Sequence, residues 1–219
     1  MASQAKISCF GATKDELEMP LPGDDLVASP VLQITHAITI DAPPERIWPW
    51  LMQIGQGRAG FYSDSPWWDA CVDFYYRLLS REQGHTPIGY RGRNTERIVE
   101  AWQHLRVGDA ILDGPPGTAC YIVRQIEPHR SLVLFTDTHL PFLLPARFRG
   151  GVSGELSAAL ILLPLENGST RVLRRMRLTC SPLAFRLVAV PLVLIWGESI
   201  TARYFLRGLK RRAEGIPDS

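Results

Sequence analysis

A proline-rich segment that joins a strand to an apolar helix constrains the fold of this chain more than any other feature. One face of the segment from Ile34 to Ile40 holds three isoleucines and His36, and the other holds threonine and alanine, which predicts a strand. Asp41 follows as a candidate helix N-cap, and Pro43 and Pro44 stand where a first helical turn tolerates proline. The helix that follows carries apolar residues at helical spacing, namely Ile47, Trp48, Leu51 and Ile54.

The rest of the chain predicts a second helix, an antiparallel sheet and a long final helix. The 3.6-residue period continues from Trp67 to Ser80, and from about Ile98 it gives way to the period of strands. No helix is predicted between these strands, which favours an antiparallel meander, and Asn167-Gly168 is the best hairpin signal. After Pro182 the chain is predicted to be helical to about Glu214. The predicted strands cover residues 108–112, 119–126, 131–138, 156–165 and 170–180.

Length and charge limit the classes of protein to consider. A chain of 219 residues favours one domain, which we place at residues 31–215 behind an N-terminal arm at residues 1–30. The 24 basic and 22 acidic residues nearly balance, so nucleic acid is not an expected partner. The start of the chain lacks a secretory signal and the four cysteines form no Cys-x-x-Cys pair, which favours a reduced, cytoplasmic protein.

The most apolar segment runs from Leu183 to Trp196. Arg186 and Pro191 interrupt it, and its continuous apolar part is shorter than the roughly 20 residues that a spanning helix needs. We interpret it as a buried or cavity-lining helix, and peripheral contact with a membrane surface is the alternative.

Several motifs in this order carry a resemblance to a known superfamily. The strand, the segment Asp41 to Glu45 and the two-tryptophan helix are followed by Phe61-Tyr62-Ser63, by 103–109, by 168–173 and by 206–214. Together they resemble a bacterial branch of the START/Bet v1-like superfamily, also described as SRPBCC or polyketide cyclase/dehydratase-like. In that branch Phe-Tyr-Ser continues into Tyr-Asp-Trp, whereas this chain continues into Asp64-Ser65-Pro66-Trp67, so the register of the aromatic and acidic residues differs.

The resemblance implies an α+β helix-grip fold. In that fold a curved antiparallel β-sheet wraps around a long C-terminal helix, with two short helices after the first strand. It also implies an internal cavity for an apolar small molecule such as a lipid, a fatty acid or a polyketide, held by a carrier or sequestering protein. The alternative is a cyclase or dehydratase that uses acid–base catalysis in the same cavity, without metal or cofactor. The sequence leaves the ligand and the oligomeric state open.

A first candidate group lies between the two predicted short helices. Tyr62 is a candidate catalytic hydrogen-bond donor, and Asp64, Trp67 and Trp68 are candidate ligand contacts at the mouth of the expected cavity. The alternative is that these aromatic side chains only fill the core beneath the helices.

A second group is the run of arginines on the strand 170–180. Alternation makes Arg174 the arginine that faces the apolar side, where a guanidinium suits a carboxylate or an enolate oxygen. The motif of the resembling branch instead matches Arg175, a candidate catalytic residue, and Arg177, a candidate ligand contact. The two arguments conflict, and an outward row of ion pairs is a further alternative.

A third group surrounds the final helix. Glu198 follows the most apolar run and is a candidate catalytic acid or base, with surface exposure as the alternative. Trp196 and Tyr121 are candidate ligand contacts. Asp137 and His139, at a strand end, form a similar pair. The histidines are scattered without the spacing of a metal site, so no metal is expected.

Overall fold

The computed structural model describes residues 5–82, 94–114, 119–142, 150–189 and 197–215. The described helices are α1 (Lys14–Glu18), α2 (Pro44–Met52), α3 (Pro66–Glu82), α4 (His139–Phe142), α5 (Leu183–Ala189) and α6 (Glu198–Glu214). The described strands are β1 (Ala5–Phe10), β2 (Leu32–Ile40), β3 (Ala110–Leu112), β4 (Cys120–Glu127), β5 (Ser131–Thr136), β6 (Ser153–Pro164) and β7 (Thr170–Ser181).

The strands form one sheet in the order β1-β2-β7-β6-β5-β4-β3. β1 pairs in parallel with β2, and every other neighbouring pair is antiparallel. The apolar side of α6, with Phe205, Leu206 and Leu209, packs in one cluster with sheet residues such as Ile34 and Met176. The predicted α+β fold class, an antiparallel sheet gripping a long C-terminal helix, is confirmed.

The two faces of the sheet have different neighbours. The inner face, which packs against α2 and α6, carries alternate residues of each long strand, such as Val172, Met176 and Leu178 of β7. The outer face carries a smaller apolar cluster that includes Leu173 and Ile161. Residues of the N-terminal segment cover this outer cluster, namely Ala12, Met19, Leu21 and Leu26.

The strand-to-helix junction is present, with one correction. β2 leads into α2 as predicted, but Asp41 is not the N-cap of the helix, because the N-cap is Pro43 and makes no side-chain hydrogen bond. The backbone N–H of Asp41 instead donates to the carboxylate of Glu214, over 2.7 Å. This bond attaches the junction to the last turn of α6. Pro49 lies inside α2.

The predicted hairpin between β6 and β7 is also present. Gly168 has a φ of 82°, which suits a residue without a Cβ. The N–H of Leu165 donates to the carbonyl of Ser169 over 2.9 Å and closes the turn.

Other elements depart from the prediction. The sequence did not predict β1, α1 or α4, and the strand period expected from about Ile98 begins only at β3, after a 3-10 turn at Glu100–Trp102. Most of the predicted loop at 82–93 and part of the predicted final helix, including Pro191 and Trp196, lie outside the described residues. Among the helices that are described, none has the length and apolar character needed to cross a membrane.

Candidate functional site

Tyr62 is fully buried, and its hydroxyl is already engaged. The hydroxyl donates to the backbone carbonyl of Trp50 over 2.8 Å, and the ring stacks on Phe205 at 6.2 Å between centroids. Burial raises the pKa of the phenol. Gly208 of α6 lies so close to the Tyr62 carbonyl that a Cβ there would overlap it. The structure therefore places Tyr62 in the packing between α2 and α6.

Asp64 lies in a knot of ion pairs at the C-terminal end of α6. Arg212, whose side chain is 1% exposed, donates from Nη2 to Asp64 Oδ1 over 2.7 Å, and Arg211 donates to Oδ2 over 3.0 Å. Glu96 contacts both arginines. Burial favours the protonated carboxyl, but the hydrogen bonds from Arg212 and Arg211 outweigh it and hold the pKa of Asp64 below its usual range. The knot connects the loop before α3 to α6.

Replacing Asp64 with asparagine is expected to lower the free energy of unfolding by about 1 to 2 kcal/mol, because among the described residues the buried Arg212 would keep only the half-exposed Glu96 as a charged partner. Chemical denaturation at neutral pH measures the effect. The exposed Asp25→Asn variant removes the same charge and serves as the control. Equal stability of the two variants would contradict a structural role for the knot.

The two tryptophans of the first candidate group occupy the first turn of α3. Their ring centroids are 6.0 Å apart. Trp67 is 63% exposed, whereas Trp68 is half-buried. Trp67 therefore faces solvent rather than the core beneath the helices.

Arg175 and Arg177 point to the outer face of the sheet. The guanidinium of Arg175 donates to the carboxylate of Asp24 over 2.8 Å and to the Met19 carbonyl over 2.7 Å. Arg177 pairs with the same Asp24 over 3.3 Å. Both arginines thus contact the N-terminal segment, and the structure does not bring them to the inner face.

Arg174 and Glu198 do come together on the inner face. Arg174 lies between Val172 and Met176 in the alternation of β7, and it forms an ion pair with Glu198 in the first turn of α6. Each of the two side chains is 12% exposed. Burial lowers the pKa of Arg174, and Tyr121 and Asp113 are close enough to oppose that shift. Of the two conflicting predictions for the arginines, alternation is the one that the structure supports.

Three further polar side chains adjoin this pair. Nε2 of His139 lies 2.9 Å from a carboxylate oxygen of Asp113, and Nδ1 lies 2.9 Å from the hydroxyl of Thr136. The ring of Tyr121 lies 4.3 Å from that of His139, centroid to centroid. Burial raises the pKa of Tyr121, as does Asp113, while Arg174 lowers it, so the phenol stays protonated at neutral pH. We call Arg174, Glu198, Tyr121, Asp113 and His139 the inner polar cluster.

His36 is the neighbour of Arg174 across the β2–β7 pair. Its side chain is fully buried, and neither ring nitrogen has a hydrogen-bond partner among the described residues. Burial, with a contribution from the charge of Arg174, lowers the pKa of His36 to about 3. His36 is therefore a neutral imidazole at neutral pH.

The inner polar cluster offers both donors and acceptors at the edge of an apolar surface. Arg174 and the protonated Tyr121 donate, while the carboxylates of Glu198 and Asp113 accept. The side chains of Asp113 and His139 are 23% and 12% exposed, so they are not sealed from solvent. Across the described ranges, no three His, Cys, Asp or Glu side chains are grouped to hold a metal ion.

Sequence reasoning found part of this cluster and missed the rest. Arg174, Glu198 and Tyr121 are among the predicted candidates. The predicted pairing of His139 with Asp137 is not what the structure shows, because the ring bonds to Asp113, which precedes β4. His36 carried one usable signal, since it interrupts the isoleucine face of β2. Trp196 lies outside the described residues.

Comparisons with known proteins found no matching family model and no matching curated protein. Many solved structures are similar over most of the chain, and three of them serve as examples. A protein from Arthrobacter aurescens has 17% identity and a TM-score of 0.44 and covers 85% of this chain and 88% of its own. Mll3558 from Rhizobium loti has 14% identity and a TM-score of 0.43, covering 82% and 95%. CalU16 from Micromonospora echinospora has 16% identity and a TM-score of 0.32, covering 84% of each chain. Because these identities and TM-scores are low, the candidate site is inferred only from the contacts within this chain.

Proposed function

We propose that this protein binds a mainly apolar small molecule against the inner face of its sheet, with the polar end of the molecule at the inner polar cluster. The main observation in favour of this proposal is Arg174, a charged side chain that projects from the apolar inner face of β7 and is almost entirely buried. The simplest function for such a site is to carry or sequester the ligand, because this requires binding but no catalytic step.

The energetic cost of the cluster supports a role in binding. Moving a guanidinium and a carboxylate out of water is expensive, and apolar side chains of similar size often stabilise a fold equally well. The ion pair of Arg174 and Glu198 is therefore weak as an explanation of stability alone. Polar groups set into an apolar surface are the usual way in which a small-molecule site fixes orientation.

The first test is mass spectrometry of the purified protein, both intact and after extraction with organic solvent. A stoichiometric apolar compound is expected, either copurified or taken up from a panel of lipids and aromatic polyketides. The Arg174→Met variant is expected to lose it, while Arg130→Met, at the exposed β4–β5 turn, keeps it. No compound with the native protein under any condition would refute the proposal.

A second candidate function is a cyclase or dehydratase that works by proton transfer. The observation that favours it is His139, held between Asp113 and Thr136 and packed against Tyr121. Tyr121, which stays protonated, would donate to a substrate carbonyl, and Glu198 would accept a proton. Of the catalytic residues predicted from the sequence, Glu198 is the one in this cluster. Turnover of a bound compound that is lost in Tyr121→Phe and in Glu198→Gln would establish the enzyme, whereas release of the compound unchanged favours the carrier.

A further inference from the structure

The inner polar cluster has no surplus of positive charge. Arg174 contributes one positive charge, and Glu198 and Asp113 contribute two negative ones. His36 is neutral because its pKa is about 3. A proton on His139, which bonds to Asp113, would bring the total only to zero. Among the described residues of the cluster, and in either protonation state of His139, an anionic ligand therefore adds a negative charge that no cation balances.

Glu198 also occupies the position that a ligand carboxylate would need. Its carboxylate pairs with Arg174 from the first turn of α6. At a partly buried site, two like charges a few ångströms apart repel each other more strongly than they do in bulk water. A ligand carboxylate can approach Arg174 only by displacing Glu198 or by accepting that repulsion. The donors that remain suit an uncharged oxygen acceptor, which needs a hydrogen bond and no counter-ion.

We propose that the polar end of the ligand is an uncharged oxygen acceptor such as a carbonyl or an amide, and that Glu198 excludes carboxylates by occupying Arg174. This inference rests on the proposed function, and it narrows the expected ligands by removing free fatty acids. In this proposal Glu198 determines which ligands bind, and it does not itself form an ion pair with the ligand.

The test compares acids with their own amides as probes of equal shape. Lauric acid against lauramide, and naphthoic acid against naphthamide, are titrated into the native protein at neutral pH and followed by calorimetry. The amide of a pair that binds is expected to bind at least about tenfold more tightly than the acid. In Glu198→Gln, which removes the carboxylate paired with Arg174, the acids are expected to bind more tightly than they do to the native protein, and the preference for the amide is expected to shrink. Glu166→Gln makes the same change of charge at the exposed β6–β7 hairpin and should keep the native preference.

The outcomes separate the two proposals. If neither pair binds to either protein, the proposed function fails and this inference fails with it. If the native protein binds the acids as tightly as the amides or more tightly, the inference alone is wrong. The native comparison decides this even if Glu198→Gln does not fold, a point that circular dichroism checks. A folded Glu198→Gln that keeps the native preference would likewise overturn the role of Glu198.

Discussion

Replacing Arg175 with leucine is expected to lower the free energy of unfolding by about 3 kcal/mol, because the change removes a buried cation that holds the N-terminal segment to the sheet. The guanidinium donates to Asp24 from one side and to the hydroxyl of Thr35 in β2 from the other. It also donates to three backbone carbonyls around α1, those of Glu16, Leu17 and Met19. Leucine would leave these acceptors and the Asp24 carboxylate with fewer donors.

Chemical denaturation of the native protein and of Arg175→Leu measures this effect, and Arg177→Leu is the matched control. Arg177 lies on the same face of β7 and shares Asp24, but its two contacts with the N-terminal segment are longer, at 3.3 and 3.4 Å. Its replacement is expected to cost within about 1 kcal/mol. Limited proteolysis adds a second readout, since cleavage near Met19 should accelerate only in Arg175→Leu. A cost no greater than that of Arg177→Leu would contradict the anchoring role.

The fold was largely predictable because its signals are local. The alternation of β2, the first turn of α2 and the Asn167-Gly168 turn each depend on residues close together in the sequence. The parallel pairing of β1 with β2 does not, because it joins segments more than 20 residues apart, and the alternation within β2 does not show which strand will pair with it. The prediction for residues 1–30 as an arm therefore carried no hint that part of it joins the sheet.

The candidate site was only partly predictable, for a similar reason. Alternation along β7 identified Arg174 as the inward arginine from the strand alone. Arg175 was a candidate because the motif of the resembling branch matches it, and nothing in the sequence shows that Asp24 and the backbone carbonyls around α1 will surround its guanidinium on the outer face. Asp113 and His139 meet only after β4 and β5 have paired and brought both strand ends together. Tyr62 was a predicted site residue that the structure places in the core. Its hydroxyl donates to the backbone carbonyl of Trp50, and no sequence motif identifies that acceptor.

The stability of the native protein is expected to fall as the pH is lowered from about 6.5, and His36→Leu is expected to remove much of this dependence. The folded-state pKa of His36 is about 3, whereas its ordinary value is 6.5. Between these values the unfolded state binds a proton that the folded state does not, so acid favours unfolding by up to about 1.4 kcal/mol for each pH unit. Between pH 7 and pH 5 the loss from this group is about 2 kcal/mol.

Urea denaturation of native protein and His36→Leu at pH 7 and pH 5 tests this linkage. At pH 7 the leucine variant is expected to be more stable by about 1 kcal/mol, because it removes a buried imidazole whose ring nitrogens lack partners among the described residues. At pH 5 the difference should widen to about 3 kcal/mol. The exposed His104→Leu should follow the native curve. A His36→Leu variant that is less stable at pH 7 would indicate that a bound molecule satisfies the imidazole, and an unchanged pH dependence would show that His36 is not the group responsible.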